Sequence, residues 1–288
     1  MYANFELDLA ADLDEALAVL ADADGADVAP LAGGTNLIVD LRAGRCRPKR
    51  LVALGRVEAL RGIGEDGPRV RIGGRTTVSE LLASPLVAAT APSLVQSARL
   101  FAGQMVRNTA TVAGNIACGS PAADLVPPLL ALDAEPTLAS RAGSRTVPLP
   151  DFYRDYKKDV RRADELIAAV AWPKPAAGAR SSFYKLGRRK GDAITITGVA
   201  VSLAVDRGVC TRARIALGAV APVVLRARAA EAMLEGQRLT AELVAAAAAR
   251  AAGEASPIDD IRASAAYRRH TVQVLARRLL GGAWQAGS

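Results

Sequence analysis

The sequence predicts an α+β protein of two unequal units, and three stretches carry that expectation. Near the amino terminus, "DLDEALAVLAD" (12–22) sets an aspartate at a helix N-cap and spaces its apolar residues helically. "ADVAPLAGG" (26–34) follows as a strand that closes on paired glycines. In the second half, "ITITGVAVSLAV" (194–205) and "RARIALGAV" (212–220) read as antiparallel strands, because the intervening "DRGVCT" has hairpin turn chemistry. Between these regions lies "WPKPAAGAR" (172–180), whose two prolines and glycine end regular structure and set the expected boundary.

The remaining elements follow in order. "RLVAL" from Arg50 and "RVRIGG" from Arg69 are strands, the second again closing on Gly-Gly. "TTVSELLAS" is a helix with a Thr/Ser start, and "SLVQSARL" from Ser93 is another. Strands and helices thus alternate through the first unit. Behind the carboxy-terminal strands come three helical patterns, starting near Leu225, Thr240 and Ser264, and the expected arrangement is an antiparallel sheet covered on one side by helices.

Composition excludes several functions. The 51% hydrophobic content supports a sizeable core, yet no run approaches the ~20 apolar residues of a membrane span. The amino terminus lacks the basic and apolar regions of a signal peptide, and three dispersed cysteines without a C-x-x-C pair fit a reducing cytoplasm. The net charge of +8 favours acidic partners, but it is scattered in small groups ("RCRPKR", "KKDVRR", "GRRK") without interleaved aromatics, so nucleic acid is not expected. One histidine cannot serve a triad placed elsewhere in the chain, and three cysteines cannot supply the four thiolates of an iron–sulfur centre.

Two loops carry the remaining chemistry. "LAGGTNLIVDLRAG" (31–44) and "RNTATVAGNIACGSPAADLVP" (107–127) combine glycine with hydroxyl and amide side chains, the second adding Asp124. Loops of this kind leave backbone N–H groups unshielded and can wrap a pyrophosphate between them. Neither shows the G-x-G-x-x-G of a dinucleotide fold or the Lys-Ser/Thr of a Walker motif. A nucleotide is expected, held in another way.

These loops, with "ELIAAVAWPKP" (165–175), "FYKLGRRKGDAITITGVAVSL" (183–203) and "YRRHTVQVLARRLL" (267–280), resemble the FAD-binding medium subunit of the molybdenum hydroxylases, the xanthine dehydrogenase and aerobic carbon monoxide dehydrogenase family. The resemblance covers nearly the whole chain. It implies a p-cresol-methylhydroxylase-type FAD domain of two α/β subdomains over residues 1–176. A small domain with a three-stranded antiparallel sheet and helices would follow over residues 177–288.

The resemblance also implies a site. Leu31, Ala32, Gly33, Gly34, Thr35, Asn36, Leu37 and Ile38 would form the first FAD loop, with Thr35 and the N–H groups on the pyrophosphate. Thr111, Gly114, Asn115 and Ser120 would form the second. Phe101 and Ile167 would lie near the flavin, Asp124 would accept hydrogen bonds from its polar groups or the ribityl chain, and Lys185 would reach the ring. Where the family reads Gly-Gly-Asn this chain has Ala113-Gly114-Asn115, so Ala113 needs a negative φ. FAD would be non-covalent: His270 lies in the other domain, and Cys118 is the one attachment point the loops offer.

Electrons would then arrive from a small subunit with two [2Fe–2S] clusters and leave to NAD+, oxygen, a quinone or a cytochrome. A large molybdopterin subunit would hydroxylate a heterocycle, an aldehyde or CO, and the assembly would be an (αβγ)2 heterohexamer. Two alternatives stay open at this point: a stand-alone FAD-dependent oxidase or reductase, and a non-enzymatic basic binding module.

Overall fold

The computed structural model describes residues 4–22, 27–189 and 191–285. Ala26 of "ADVAPLAGG" and Lys190 of "GRRK" lie outside the described residues. The first subdomain comprises β1 (Glu6–Leu9), α1 (Leu13–Ala21), β2 (Val28–Leu31), α2 (Leu37–Arg42) and β3 (Arg50–Ala53). Its three strands are parallel, in the order β1-β3-β2. As its position predicts, Asp12 caps α1, its carboxylate accepting from the Glu15 N–H at 2.9 Å. Ala16, Leu17 and Leu20 then bury against Val28, Val52 and Leu54 of the sheet.

The second subdomain is an antiparallel sheet with helices in its connections. It contains β4 (Ile63–Asp66), β5 (Arg69–Gly73), α3 (Val78–Ala83), α4 (Pro85–Thr90), α5 (Pro92–Leu100), α6 (Gln104–Arg107), α7 (Val112–Ala117) and α8 (Val126–Ala131). There follow β6 (Glu135–Ser140), β7 (Gly143–Thr146), the short pair β8 (Tyr153–Asp155) and β9 (Lys158–Asp159), and β10 (Leu166–Pro173). The sheet order is β4-β5-β10-β6-β7. A Thr77–Glu80 capping box starts α3, and Trp172 on β10 is fully buried.

Beyond β10 come β11 (Arg180–Leu186), β12 (Thr197–Asp206), β13 (Val209–Gly218), β14 (Leu225–Arg226), α9 (Arg228–Leu234), α10 (Ala241–Glu254) and α11 (Ala265–Gln285). The β12–β13 turn is made by Arg207 and Gly208, both at positive φ (46° and 81°), the backbone that a two-residue hairpin favours. Two expectations need correction. The sheet has four strands, not three, because Leu225 and Arg226 pair with Leu217 and Ala216 before the helix begins. A strand of two residues has no period of its own, so the helical pattern beyond it absorbs it.

The sheet is also covered on both faces. Val199, Val201 and Ile215 pack toward α9, α10 and α11, whereas Phe183, Ala200 and Ala216 join the core of the second subdomain beneath α5 and α8. Continuous burial along 197–204 of β12 is the signature of a strand enclosed on two sides. Helices α5 and α8 are therefore braced by the carboxy-terminal sheet. Among the described residues, no helix is long and apolar enough to cross a membrane.

Candidate cofactor site

A bare backbone at Gly33 is a packing requirement. A Cβ there would sit 1.9 Å from the Thr109 carbonyl oxygen, so a methyl group would drive the first glycine loop off the start of the second. Gly34 has φ +68° and turns the chain from β2 into α2. Helical bonding starts with Ile38 N–H on the Gly34 carbonyl (3.0 Å). The preceding amides of Thr35, Asn36 and Leu37 have no partner among the described residues. This loop offers donors, as its sequence implies.

The second loop offers fewer. The amides at the start of its helix are spent on scaffolding: Val112 N–H donates to Thr76 O (2.9 Å), Ala113 to Gly74 O (3.3 Å), Gly114 to Thr111 Oγ1 (3.1 Å) and Asn115 to Thr111 O (3.0 Å). The expectation of unshielded N–H groups holds for the first loop; in the second it is limited, at the cavity wall, to Thr111, whose N–H has no partner among the described residues. Thr111 is the N-cap of α7 and Asn115 Oδ1 accepts from Leu125 N–H (3.1 Å), so both polar side chains fix the fold of the second loop. Ala113 sits inside α7 and is not among the positive-φ residues, so the departure from glycine there fits the backbone.

The loops enclose a cavity of about 700 Å³, a size ordinary for a ligand site. Ala32, Gly33, Gly34, Thr35, Asn36 and Leu37 form one wall; Thr111, Gly114 and Asn115 form another. Phe101 and Ile167 contribute apolar surface. Ile167 reaches it through a bulge in β10, where the pairing with β6 slips between Ile167 and Ala169. The bulge packs on Gly74, whose added Cβ would lie 2.2 Å from the Ile167 carbonyl oxygen. Arg107 holds the turn carrying Phe101, its Nη1 donating to Phe101 O (3.0 Å) and Ala102 O (2.9 Å).

Leu31, Ile38, Ser120, Asp124 and Lys185 are not on the cavity wall. Leu31 and Ile38 pack beside Gly34, and Ser120 Oγ accepts from Ala122 N–H (3.2 Å) within its own turn. Asp124 and Lys185 hold each other: Lys185 Nζ is 2.6 Å from Asp124 Oδ2, and Thr195 Oγ1 donates to Asp124 Oδ1 at 2.5 Å. Burial pushes the Asp124 carboxyl above its ordinary value, against the opposing pull of Lys185 and Thr195. The pair ties the second loop to β11.

Several lining residues escape sequence reasoning: Asp40, Cys46, Arg75, Lys157, Arg161 and Ile194. "KKDVRR" reads as a solvated face, although it follows three aromatic residues, Phe152, Tyr153 and Tyr156, a signal of packing nearby. Burial would raise the Asp40 carboxyl, but Arg45 (3.0 Å), Lys157 and Asn36 hold it below the usual range. Burial raises the thiols of Cys46 and of Cys118, which also line the cavity. Burial therefore disfavours the thiolate at both.

The strand behind Ile167 starts from an anchored carboxylate. Glu165 receives the Arg145 fork at 2.7 and 2.8 Å and the Arg162 N–H at 2.7 Å, and the Arg145 bonds hold its pKa at about 2. Because the folded pKa is depressed, this contribution is complete above the unfolded value near 4.5 and is lost as pH falls toward about 2. Urea midpoints across that window are expected to fall more steeply for the wild type than for Glu165→Gln. Parallel curves would contradict the assignment.

The fit to FAD can be judged from these residues. A dinucleotide needs unpaired donors for its diphosphate and apolar surface for its ring system, and the cavity lining has both, with Leu54, Leu60, Phe101, Val106 and Ile167 among its apolar residues.

Known proteins agree with this geometry. Residues 3–175 match the family model for the FAD binding domain in molybdopterin dehydrogenase, and residues 182–283 match the CO dehydrogenase flavoprotein C-terminal domain. The chain is 34% identical to the carbon monoxide dehydrogenase medium chain of Hydrogenophaga pseudoflava, over 98% of this chain and 97% of that one. It is 31% identical to the xanthine dehydrogenase FAD-binding subunit of Escherichia coli O157:H7, over 95% and 94%. Among solved structures, the H. pseudoflava carbon monoxide dehydrogenase lacking the Mo-pyranopterin moiety matches with a TM-score of 0.95 at 35% identity, covering 99% of both chains. Quinoline 2-oxidoreductase from Pseudomonas putida 86 matches at 0.92 and 31%, covering 100% of this chain and 99% of that one. With a glycine loop that presents free amides to a dinucleotide-sized cavity and this likeness along its whole length, the chain belongs to the FAD-binding medium subunits of the molybdenum hydroxylases, oxidoreductase subunits of the carbon monoxide and xanthine dehydrogenase type.

Proposed function

We propose that this chain relays electrons within a multi-subunit molybdenum hydroxylase. Residues 1–176 form the FAD-binding domain, holding the cofactor non-covalently through the first glycine loop, and residues 177–288 brace it. The observation that carries this is the cavity itself: free amides of the first loop at one wall and apolar surface from Phe101 and Ile167 at another. When bound, FAD supplies the chemistry of accepting electrons singly and releasing them in pairs.

The chain's own residues position that group. Thr35, Asn36 and Leu37 offer N–H donors, Arg107 holds the Phe101 turn, and the Asp124–Lys185 pair fixes the second loop against β11. Electrons come from a small subunit carrying [2Fe–2S] clusters and pass to NAD+, oxygen, a quinone or a cytochrome. Cys46 and Cys118 lie at the cavity while Cys210 is buried in the carboxy-terminal core, so the three do not converge on a cluster. A large molybdopterin subunit hydroxylates the heterocycle, aldehyde or CO, in an (αβγ)2 cytoplasmic assembly.

Purification of the tagged chain from its native source tests this. Flavin, iron and molybdenum are expected in one complex at fixed ratios, with the flavin bleached when the complex meets its substrate. A flavoprotein free of iron and molybdenum that oxidises a substrate unaided would overturn the reading and favour a stand-alone oxidase.

A further inference from the structure

We propose that Lys157 is the cationic contact for the diphosphate of the bound dinucleotide, with Asp40 as an exchangeable partner that gives up its ammonium to the ligand. The proposal rests on the FAD reading above and adds a residue to it. Among the described residues, three cations line the cavity: Arg75, Lys157 and Arg161. Two are committed elsewhere. Arg161 clasps Asp159 through Nε (3.0 Å) and Nη2 (2.8 Å), and Arg75 Nη1 donates to Val57 O (3.0 Å) beside Glu58 (3.7 Å). Lys157 has one long ion pair, 3.5 Å from Nζ to Asp40 Oδ2.

Asp40 can release it. That carboxylate also holds Arg45 at 3.0 Å and Asn36 at 2.9 Å, so departure of Lys157 leaves it paired and hydrogen-bonded. Asn36 belongs to the loop whose amides are free, so the Asp40 contact puts the ammonium within side-chain reach of the place those amides make for an anion. The charges agree as well: one carboxylate faces two cations there, Arg45 and Lys157, leaving one positive charge for the ligand.

The backbone of Lys157 is held for the purpose. Its φ is +54°, a left-handed conformation that residues other than glycine seldom adopt. It persists because Lys157 N–H donates to Gly119 O at 3.2 Å, and a Cβ on Gly119 would lie 2.8 Å from the Lys157 Cα. Lys157 therefore spans from the second loop to the helix that follows the first.

The test uses the full chain stripped of flavin, titrated with FAD, ADP and riboflavin. Lys157→Met is expected to weaken FAD and ADP by roughly 10- to 100-fold, the scale of a charge-assisted hydrogen bond, and to leave riboflavin unchanged. Lys157→Arg is expected to restore most of the loss, and the unfolding midpoint of stripped Lys157→Met should match the wild type. Asp40→Asn is expected to tighten FAD by removing a negative charge beside the diphosphate, and it serves if Lys157→Met does not fold. Unchanged FAD and ADP affinity in Lys157→Met, an equal loss for riboflavin, or weakened FAD in Asp40→Asn would overturn the assignment while leaving FAD binding intact. A wild-type chain that binds riboflavin and ADP but not FAD would instead overturn the cofactor reading, and the assignment with it.

Discussion

Gly33→Ala is expected to empty the chain of flavin and to lower its unfolding midpoint. The new methyl carbon would meet the Thr109 carbonyl oxygen at 1.9 Å and its carbon at 2.7 Å, both backbone atoms that no rotamer change can move aside. Relief requires the first loop and the start of the second to separate, and overpacking of this kind costs about 1–3 kcal/mol or more. The amides of Thr35, Asn36 and Leu37 move with the loop. Gly34→Ala is the informative comparison: its φ of +68° is strained for alanine, but its neighbours are the flexible ends of Leu31 and Ile38 at 3.2 and 3.3 Å. Flavin content and thermal midpoints should rank wild type, Gly34→Ala, Gly33→Ala. A Gly33→Ala chain with full flavin content and the wild-type midpoint would mean that the two loops do not make this approach.

Asp124→Ala is expected to destabilise the chain by about 3–5 kcal/mol, the cost of leaving one member of a buried ion pair alone. The Lys185 side chain is 7% exposed, and its other contact is the Leu100 carbonyl oxygen at 3.3 Å. Thr195 loses its acceptor as well. The double variant Asp124→Ala/Lys185→Met should recover much of the loss, since an apolar pair removes the orphaned charge. Urea unfolding of the two single variants and the double one measures the coupling. Additive losses would mean that the pair does not act as a unit.

Local features of the fold are legible in the sequence where one short stretch contains both partners. The Asp12 cap, the Thr77 start of α3 and the Arg207-Gly208 hairpin each join residues within a few positions. The first glycine loop is legible for the same reason, since its free amides follow from a strand, a Gly-Gly turn and a helix start.

Long-range pairing is where local pattern is blind. The second loop looks like the first in composition, but Gly74 and Thr76, far upstream, take two of its amides. The second face of the carboxy-terminal sheet is covered by α5 and α8, which belong to the other unit. Lys157 looks like one more solvated lysine until Gly119 and Asp40 place it at the cavity. Asp124 and Lys185 stand out in sequence beside the expected flavin, and the structure gives them a second occupation in each other.

The central claim, that this cavity holds FAD, is tested most directly by the absorption spectrum of the purified full chain with chromatography of what heat or acid releases. The account predicts a flavin spectrum and about one released FAD per chain, with none left attached to protein. A colourless chain that also takes up no added FAD would contradict it.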